Sequence, residues 1–445
     1  TDLNGVFKIN DLKKGEVTIT ISRLGRETMK LTHTVTEAVD TLKILMGKEI
    51  YNLDQIVVTG TKTFKRKTKS PIIVNVLDSR KIEKVQACNI SEVLSFQTGL
   101  RVESNCQTCN YTQLRINGLS GGYSQILING KAIFSSLAGL YAMEQIPSNM
   151  IERIEVIRGG GSSLYGSSAI GGVVNLITKF PISNNFDFGY TFRKINNNTN
   201  DKLIFGNGTI LSENGKTATT IYINNRDRLP YDHNGDNFSE LPSLKDNTFG
   251  ANFSFIPSIN QKIELNFGSI HEYRYGGEMI SGAPHFSMQS EERVHDILVG
   301  NIDYKINFGS GKYSLLTYLA AQKTDREHYT GIRPVVGSND DINHLTNPPY
   351  GTSLSLTKQL GFQLNYQYNS FIGPNLLTLG SELLSDKVND EINAYNYLVD
   401  QEVQTIGIYF QSDWSLNEKL NILSSARADR HSLLDNPVIS PRLSI

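Results

Sequence analysis

From residue 184 onward the sequence alternates between apolar and polar residues. Ala251, Phe253 and Phe255 are spaced by Asn252 and Ser254, and Ile263, Leu265 and Phe267 by Glu264 and Asn266. Ile302, Tyr304, Ile306 and Phe308 are spaced by Asp303, Lys305 and Asn307. Leu360, Phe362, Leu364, Tyr366 and Tyr368 continue the pattern, with Gln363, Asn365 and Gln367 between them, as do Ile406, Ile408 and Phe410. Period two places one apolar and one polar face on each strand. Several runs reach about ten residues or more, well beyond the usual strand of about 5–6. The connections alternate as well. Short turns (SENGK, PSINQ, FGSGK, FIGPN, LNEK) take turns with long polar stretches at 194–202, 226–246, 274–293, 328–355 and 387–402. A soluble sandwich would mix loop lengths at both ends. Short turns at one end and long loops at the other predict a membrane-spanning antiparallel barrel. Strands in a bilayer must also close on themselves, because their backbone groups find no water there. No helical pattern is expected beyond residue 179.

Composition agrees with this reading. The 445 residues carry a formal net charge of −1, which excludes a generally basic nucleic-acid binder. No apolar run approaches the ~20 residues a membrane-spanning helix needs, yet a barrel hides its apolar face in alternation. Tyr (20) and Phe (19) supply aromatic girdles, although the same richness suits a soluble β-sandwich.

Residues 71–183 differ in kind. PIIVNVLD reads as a strand, and Ile82, Val85, Ile90, Val93 and Leu94 recur at helical spacing, giving one or two short helices. Asn117–Gly118 and Asn129–Gly130 are hairpin signals. The segment closes with IERIEVIRGGGSSLYGSSAIGGVVNLITK. Its glycine run is no phosphate cradle, since neither GK[ST] nor a helix-opening GxGxxG accompanies it. Upstream, residues 1–46 read as short strands and turns. Residues 53–59 (LDQIVVT) form a short β-prone heptad ahead of the basic linker KTFKRKTKS. Two readings of the heptad stay open: a strand that adds to a partner's sheet edge, or the last strand of the N-terminal module.

Together these motifs resemble the TonB-dependent outer-membrane transporters across nearly the whole chain. LDQIVVTG resembles the TonB box, made here of Leu53, Asp54, Gln55, Ile56, Val57, Val58 and Thr59. The IERIEVIRGGG stretch resembles the end of the plug domain. TLGSELLSD, IGIYFQSDW and ARADRHS resemble barrel strands, and GxFxIxxLxxG in 1–46 resembles a carboxypeptidase-regulatory-like module. The fold implied is mainly β. It comprises about half of a transmembrane antiparallel barrel of ~22 strands, an N-terminal α/β plug and part of a small β-sandwich. The expected boundaries are 1–46 for the sandwich piece, 47–70 for box and linker, 71–183 for the plug and 184–445 for the first half of the barrel. Both ends are expected to be truncations. One branch of the family imports glycans with a partner lipoprotein, and its plug end reads more like IEVLKDASAAAIYG. The IRG form here resembles the branch that carries siderophores, haem or cobalamin.

The resemblance implies active import of a scarce metal chelate, powered by a TonB-type energy-coupling protein. Its other partners would be outer-membrane lipid and, as an open case, a surface lipoprotein; no nucleic acid is expected. The N-terminal module would lie in the periplasm. Ligand contacts are expected on plug apical loops at 104–111 and 134–141, namely Asn105, Gln107, Tyr111, Tyr123, Phe134 and Tyr141. Their aromatic rings could stack on a bulky ligand or simply pack plug against wall. Arg153, Arg158, Glu152 and Glu155 are expected to hold the plug against charges on the barrel wall.

Cys106 and Cys109 form a CxxC in an Asn/Gln/Thr-rich loop. No second pair completes a structural zinc site, and no helix opens for a thioredoxin-type motif. A local disulfide is preferred over two free thiols in an oxidising envelope, and Cys88 reads as a small core residue. Asp232, Asn234, Asp236 and Glu240 alternate like a calcium loop, with Asn237 where glycine is usual; a solvated polar loop is the alternative. Calcium is the one cofactor entertained. His285 and His344 lie in long loops and are candidate axial haem ligands, although a lone loop histidine commonly has no such role. No nucleophile elbow or catalytic triad spacing appears, so no enzyme activity is expected. An adhesin or glycan-binding receptor on the same barrel, or a soluble β-rich enzyme or lectin, are the competing readings.

Overall fold

The computed structural model describes residues 7–445 apart from 10–11, 13, 24–25, 37–40, 47–55, 68–69, 107, 109–110, 133–141, 182, 372 and 418–419. In the N-terminal region β1 (Gly15–Arg23) and β2 (Arg26–Val35) form an antiparallel hairpin. Farther on, β3 (Ile56–Val57) pairs antiparallel with β4 (Lys65–Arg66), so the chain doubles back just after the box.

The plug follows. β5 (Val74–Asp78) leads into two short helices, α1 (Ser79–Val85) and α2 (Ile90–Ser95). Both begin on side-chain caps: Asp78 accepts from the Lys81 N–H and Asn89 from the Glu92 N–H. β6 (Leu100–Cys106) and β7 (Tyr111–Ile116) make a separate hairpin. Then come β8 (Ser124–Ile128), α3 (Ala142–Gln145), β9 (Ile151–Arg158), α4 (Ser162–Tyr165) and β10 (Gly172–Thr178). The plug sheet has the order β5-β9-β10-β8, with β9 antiparallel to β5 and β10, and β8 parallel to β10. Ile82, Ile90, Val93, Leu94, Ile154 and Val174 form its core. Both Asn-Gly pairs adopt positive φ as tight turns. The flanking strands do not pair with each other, however: β7 goes to β6 and β8 to β10. Turn chemistry was legible at these sites and strand partnership was not.

Twelve strands make the wall: β11 (Asn185–Ile195), β12 (Thr199–Leu211), β13 (Thr217–Arg228), β14 (Ser243–Ser258), β15 (Gln261–Gly277), β16 (Gln289–Phe308), β17 (Tyr313–Ile332), β18 (Tyr350–Ser370), β19 (Gly373–Ile392), β20 (Tyr397–Ser415), β21 (Asn421–His431) and β22 (Val438–Ser444). Each pairs antiparallel with its chain neighbours, and β11 and β22 are not paired with each other. The alternation of the sequence reappears as facing. On β17, Tyr318, Ala320, Gln322 and Thr324 are buried toward the plug while Leu319 is exposed on the outer face. Phe188, Ile223, Phe253, Phe267, Leu298, Phe362 and Ile408 are likewise exposed, as expected of a lipid-facing band. At the short-turn end Phe308, Tyr313, Tyr366, Tyr368 and Trp414 follow one another in ring contact and form an aromatic girdle.

The strands run farther than alternation marked. The stretch 194–202 is almost all ladder, with β11 and β12 joined through 196–198, and 387–402 is ladder except for 393–396. A 20-residue strand such as β17 spans ~66 Å, which at a tilt near 45° rises well above a ~25 Å apolar band. Above that band both faces are wet, so the hydrophobic period fades while backbone pairing continues. The same end holds the one α-helix found beyond residue 179 among the described residues, α5 (Asn339–Thr346). Ser338 caps it by accepting from the Asp341 N–H, and Asp340 and Asp341 occupy its first turn.

Inner-face tyrosines lie against glycines on the next strand. Tyr222 is directly opposite Gly250, Tyr318 opposite Gly361, and Tyr409 opposite Gly380. A Cβ on any of these glycines would fall within about 2.0–2.2 Å of the ring. The slots let the rings lie flat and leave the lumen open for the plug.

Candidate functional site

Of the box heptad, Ile56, Val57, Val58 and Thr59 are described, while Leu53, Asp54 and Gln55 lie outside the described residues. Val57 is buried with Ile72, Val74, Ile157 and Val173 of the plug. The next two residues meet one carboxylate. Oε2 of Glu155 accepts from Val58 N at 2.8 Å, Thr59 N at 2.9 Å and Thr59 Oγ1 at 2.6 Å. Thr59 Oγ1 also accepts from Asn175 Nδ2 at 3.0 Å, and its carbonyl accepts from Tyr165 OH at 3.0 Å.

The chain then turns to the wall. Gln411 donates to the Thr61 carbonyl at 2.9 Å and Gln363 to the Lys62 carbonyl at 3.1 Å. Lys62 pairs with Glu382 at 2.5 Å between the rings of Tyr165 and Tyr409 (4.9 and 4.2 Å to their centroids). Glu382 also accepts from Arg427 Nη1 at 2.8 Å and Tyr318 OH at 3.0 Å. Lys65 pairs with Asp413. Burial holds the Lys62 ammonium below its ordinary pKa, with Glu382 opposing that trend. Residues 56–65 thus form a strap bound first to the plug and then to the wall.

Arg153 and Glu155, expected to face wall charges, pair with each other inside the plug at 2.8 Å. The wall is met by other plug residues. Glu92 takes Arg193 at 2.9 Å and Arg226 at 3.0 Å; Lys131 takes Asp303 at 2.6 Å; Glu144 takes Arg274. Burial pushes the Glu92 carboxyl up, but Arg226, Arg193 and the Cys88 N–H outweigh it and hold it below the usual range. Cys88 is buried beside this cluster, and its thiol is pushed up to about 11, chiefly by burial. Spacing alone could not reveal these partners, which lie more than a hundred residues from the plug positions they bind.

Among the expected ligand contacts, Tyr123 is 48% exposed at the end of a short 3-10 turn, and Tyr111 is half-buried on β7. Asn105 is on β6; Gln107, Cys109, Phe134 and Tyr141 fall outside the described residues, as therefore does the Cys106–Cys109 pairing. The carbonyl of Thr108 lies against Gly276 near the long-loop end of β15.

In the loop after β13, one ligand oxygen each from Asp232, Asp236 and Glu240 lie within 4.8 Å of one another. Asn234 is occupied differently, donating to Asp236 Oδ2 at 3.0 Å. Asp232 accepts from Gly235 N (2.7 Å) and Asn237 N (2.9 Å), which keeps its carboxyl below the usual range. Asn237 sits at φ 68°, where asparagine can stand in for glycine. Three converging carboxylates with free lone pairs suit a hard dication.

His285 and His344 are brought together. His344 Nε2 is 3.1 Å from the His285 carbonyl oxygen and 3.3 Å from Tyr329 OH, and His285 Nδ1 is 2.9 Å from Tyr350 OH. Tyr329 and Tyr350 lie directly opposite each other on β17 and β18, and Tyr329 is fully buried, so the two histidines fasten the loop after β17 to the loop after β15. Arg333 pairs with Asp341 at 2.7 Å and closes the same loop.

Comparison with known proteins follows the same outline. Residues 66–173 match the family described as TonB-dependent Receptor Plug Domain. The chain is 24% identical over 411 residues to "Vitamin B12 transporter BtuB" of Vibrio vulnificus, covering 88% of this chain and 60% of that protein. It is 33% identical over 139 residues to the same-named protein of Vibrio cholerae, covering 31% and 23%. Its fold is similar to the siderophore receptor PirA from Acinetobacter baumannii (TM-score 0.67, 18% identity, 83% of this chain and 58% of that one). It is also similar to the ferric enterobactin receptor PfeA of Pseudomonas aeruginosa (TM-score 0.66, 17% identity, 84% and 60%). The chain spans about 60% or less of the length of each of these relatives.

Proposed function

The chain belongs to the TonB-dependent receptors, and we propose that it imports a scarce metal chelate across the outer membrane, with residues 53–59 as the segment a TonB-type partner engages. The observation that carries this reading is the strap. Residues 58–59 are bound to the plug and 61–65 to the wall, so a partner acting on the box reaches both bodies of the transporter through eight residues. A receptor used only for adhesion has no need of such a connection.

The chelate class is a siderophore, haem or cobalamin. It would be received by the expected plug contacts, Tyr111 and Tyr123 with Asn105, Gln107, Phe134 and Tyr141. A calcium ion at Asp232, Asp236 and Glu240 would brace the loop after β13. The His285 and His344 cluster, with its nitrogens already engaged by Tyr350, Tyr329 and a carbonyl, is better suited to fastening two loops together than to holding haem.

The test is a binding screen of the full-length protein against haem, vitamin B12 and ferric siderophores, read by absorbance, followed by uptake of whichever binds. Binding with uptake that requires the TonB-type partner supports the proposal. Tight binding with no uptake turns the reading toward an adhesin, and no membrane association at all overturns it.

A further inference from the structure

Glu155 and Asn175 face each other across β9 and β10 at the middle of the plug sheet. Both reach out of that sheet to the same residue, Thr59, which is fully buried. The Thr59 hydroxyl is used both ways, donating to Glu155 and accepting from Asn175. Glu155 is also fully buried and collects two backbone N–H groups besides, with Arg153 fixing its other oxygen at 2.8 Å. Hydrogen bonds to a buried carboxylate are the strong kind, and a carboxylate left without them would be costly to bury. The order of these contacts along the chain matters. The plug contacts lie at 58–59, and the wall contacts come later, at 61, 62 and 65.

We propose that Glu155, seconded by Asn175, is the grip through which a pull on the box enters the plug. The load passes sideways into β9, α4 and β10, before it can travel down the covalent chain to β5. This rests on the reading that a partner pulls on the box. A tension applied ahead of residue 56 first meets the two-residue β3–β4 ladder and the buried Val57, then the grip, and only after the grip fails does it pass along the chain to the Lys62 anchor and on to β5. The segment 154–179 would then be the first part of the plug to shift. A simple latch that only hides the box makes the opposite forecast, since loosening it would leave uptake intact or raise it.

The experiment is single-molecule pulling on the full receptor in lipid vesicles through an N-terminal tether, with uptake of vitamin B12 and ferric enterobactin measured in parallel. Once the segment ahead of the strap is extended, the unaltered protein should show a force peak. Glu155→Gln should lower that peak at least twofold and reduce uptake at least fivefold while ligand binding is kept. Thr59→Val, which leaves the plug sequence untouched, should do the same, and Thr59→Ser should restore both. Lys62→Met should leave this peak in place and weaken the next one. An unchanged peak in Glu155→Gln and Thr59→Val overturns the grip. So does a lowered peak with undiminished uptake. Failure of the unaltered protein to take up any chelate counts against the transport reading alone, because the force measurement still judges the grip.

Discussion

Consider replacing Gly361 with alanine. Gly361 faces Tyr318 directly across β17 and β18, and a Cβ there would lie 2.2 Å from ring Cζ and 2.5 Å from the hydroxyl. Carbon atoms need about 3.5 Å, so the ring must shift by about 1.3 Å. The Tyr318 hydroxyl donates to Glu382 at 3.0 Å and accepts from Gln359 at 3.1 Å. A displacement of that size carries both beyond hydrogen-bonding distance. Overpacking costs about 1–3 kcal/mol, and losing a hydrogen bond to a charged acceptor about 1.5–3. The expected loss is about 3–5 kcal/mol. Gly206→Ala is the control, because its nearest neighbour is Ile223 Cγ1 at 3.3 Å, and it should cost under about 1 kcal/mol. Unfolding in detergent, followed by denaturant midpoint, compares the two. In a Tyr318→Leu background the alanine should add almost nothing, since the ring it collides with is gone. Equal midpoints for Gly361→Ala and Gly206→Ala, or a full penalty that persists without the ring, would refute the slot.

Other outcomes follow from the same geometry. Ile56→Pro or Val58→Pro removes a backbone donor from the box, and in Val58 that donor is one Glu155 holds; uptake should fall at least tenfold with binding unchanged. Calcium should protect the loop after β13 from protease, and Asp232→Asn should abolish that protection; indifference to calcium would remove the cation from this loop. Asp341 is held below its ordinary pKa first by Arg333 and then by the Gly337 N–H. Its contribution is therefore complete above the ordinary carboxylate range and lost as pH falls through the depressed value. Hydrogen exchange in 333–349 should stay slow at pH 5 and quicken only below about pH 4, with Arg333→Gln moving the onset upward.

How much could be read beforehand depended on whether neighbours in sequence or neighbours in space decided each feature. The wall strands were legible because lipid on one side and a polar lumen on the other impose period two. The pattern missed the strand ends at 194–202 and 387–402, where water lies on both faces yet the ladder continues. The plug's helical stretch was legible from spacing as one or two helices, and the structure divides it in two, with Asp78 and Asn89 as the caps. Glu155 was visible as a charge in the strand that opens the plug-end motif, but its direction was not. Strand alternation said only that it was on the opposite face from its neighbours, and its partner at 59 lies 96 residues away. The same holds for Glu92, Lys131 and Glu144, whose wall partners are set by how the plug sits in the lumen. The glycine slots escaped notice because an isolated glycine in a strand carries no sign of what lies opposite.

The distribution of apolar and polar packing would let a plug that moves in transport be firmly seated as well. Its apolar side chains are nearly all spent on each other; from the wall, Tyr222, Ala320 and Leu423 are the buried members of its two clusters. What holds it in the lumen is instead a set of ion pairs and hydrogen bonds spread from β11 to β21, among them Arg193–Glu92, Lys131–Asp303 and Ser425–Ser163. When one of these bonds opens, water takes the partner's place, so each contributes only about 0.5–1.5 kcal/mol net, or about twice that when charged. An apolar seat would have to expose its whole area at once at about 25 cal/mol per Å². A plug seated this way can be freed a few bonds at a time by a force entering at one point, and under the proposed function that point is the strap at 56–65.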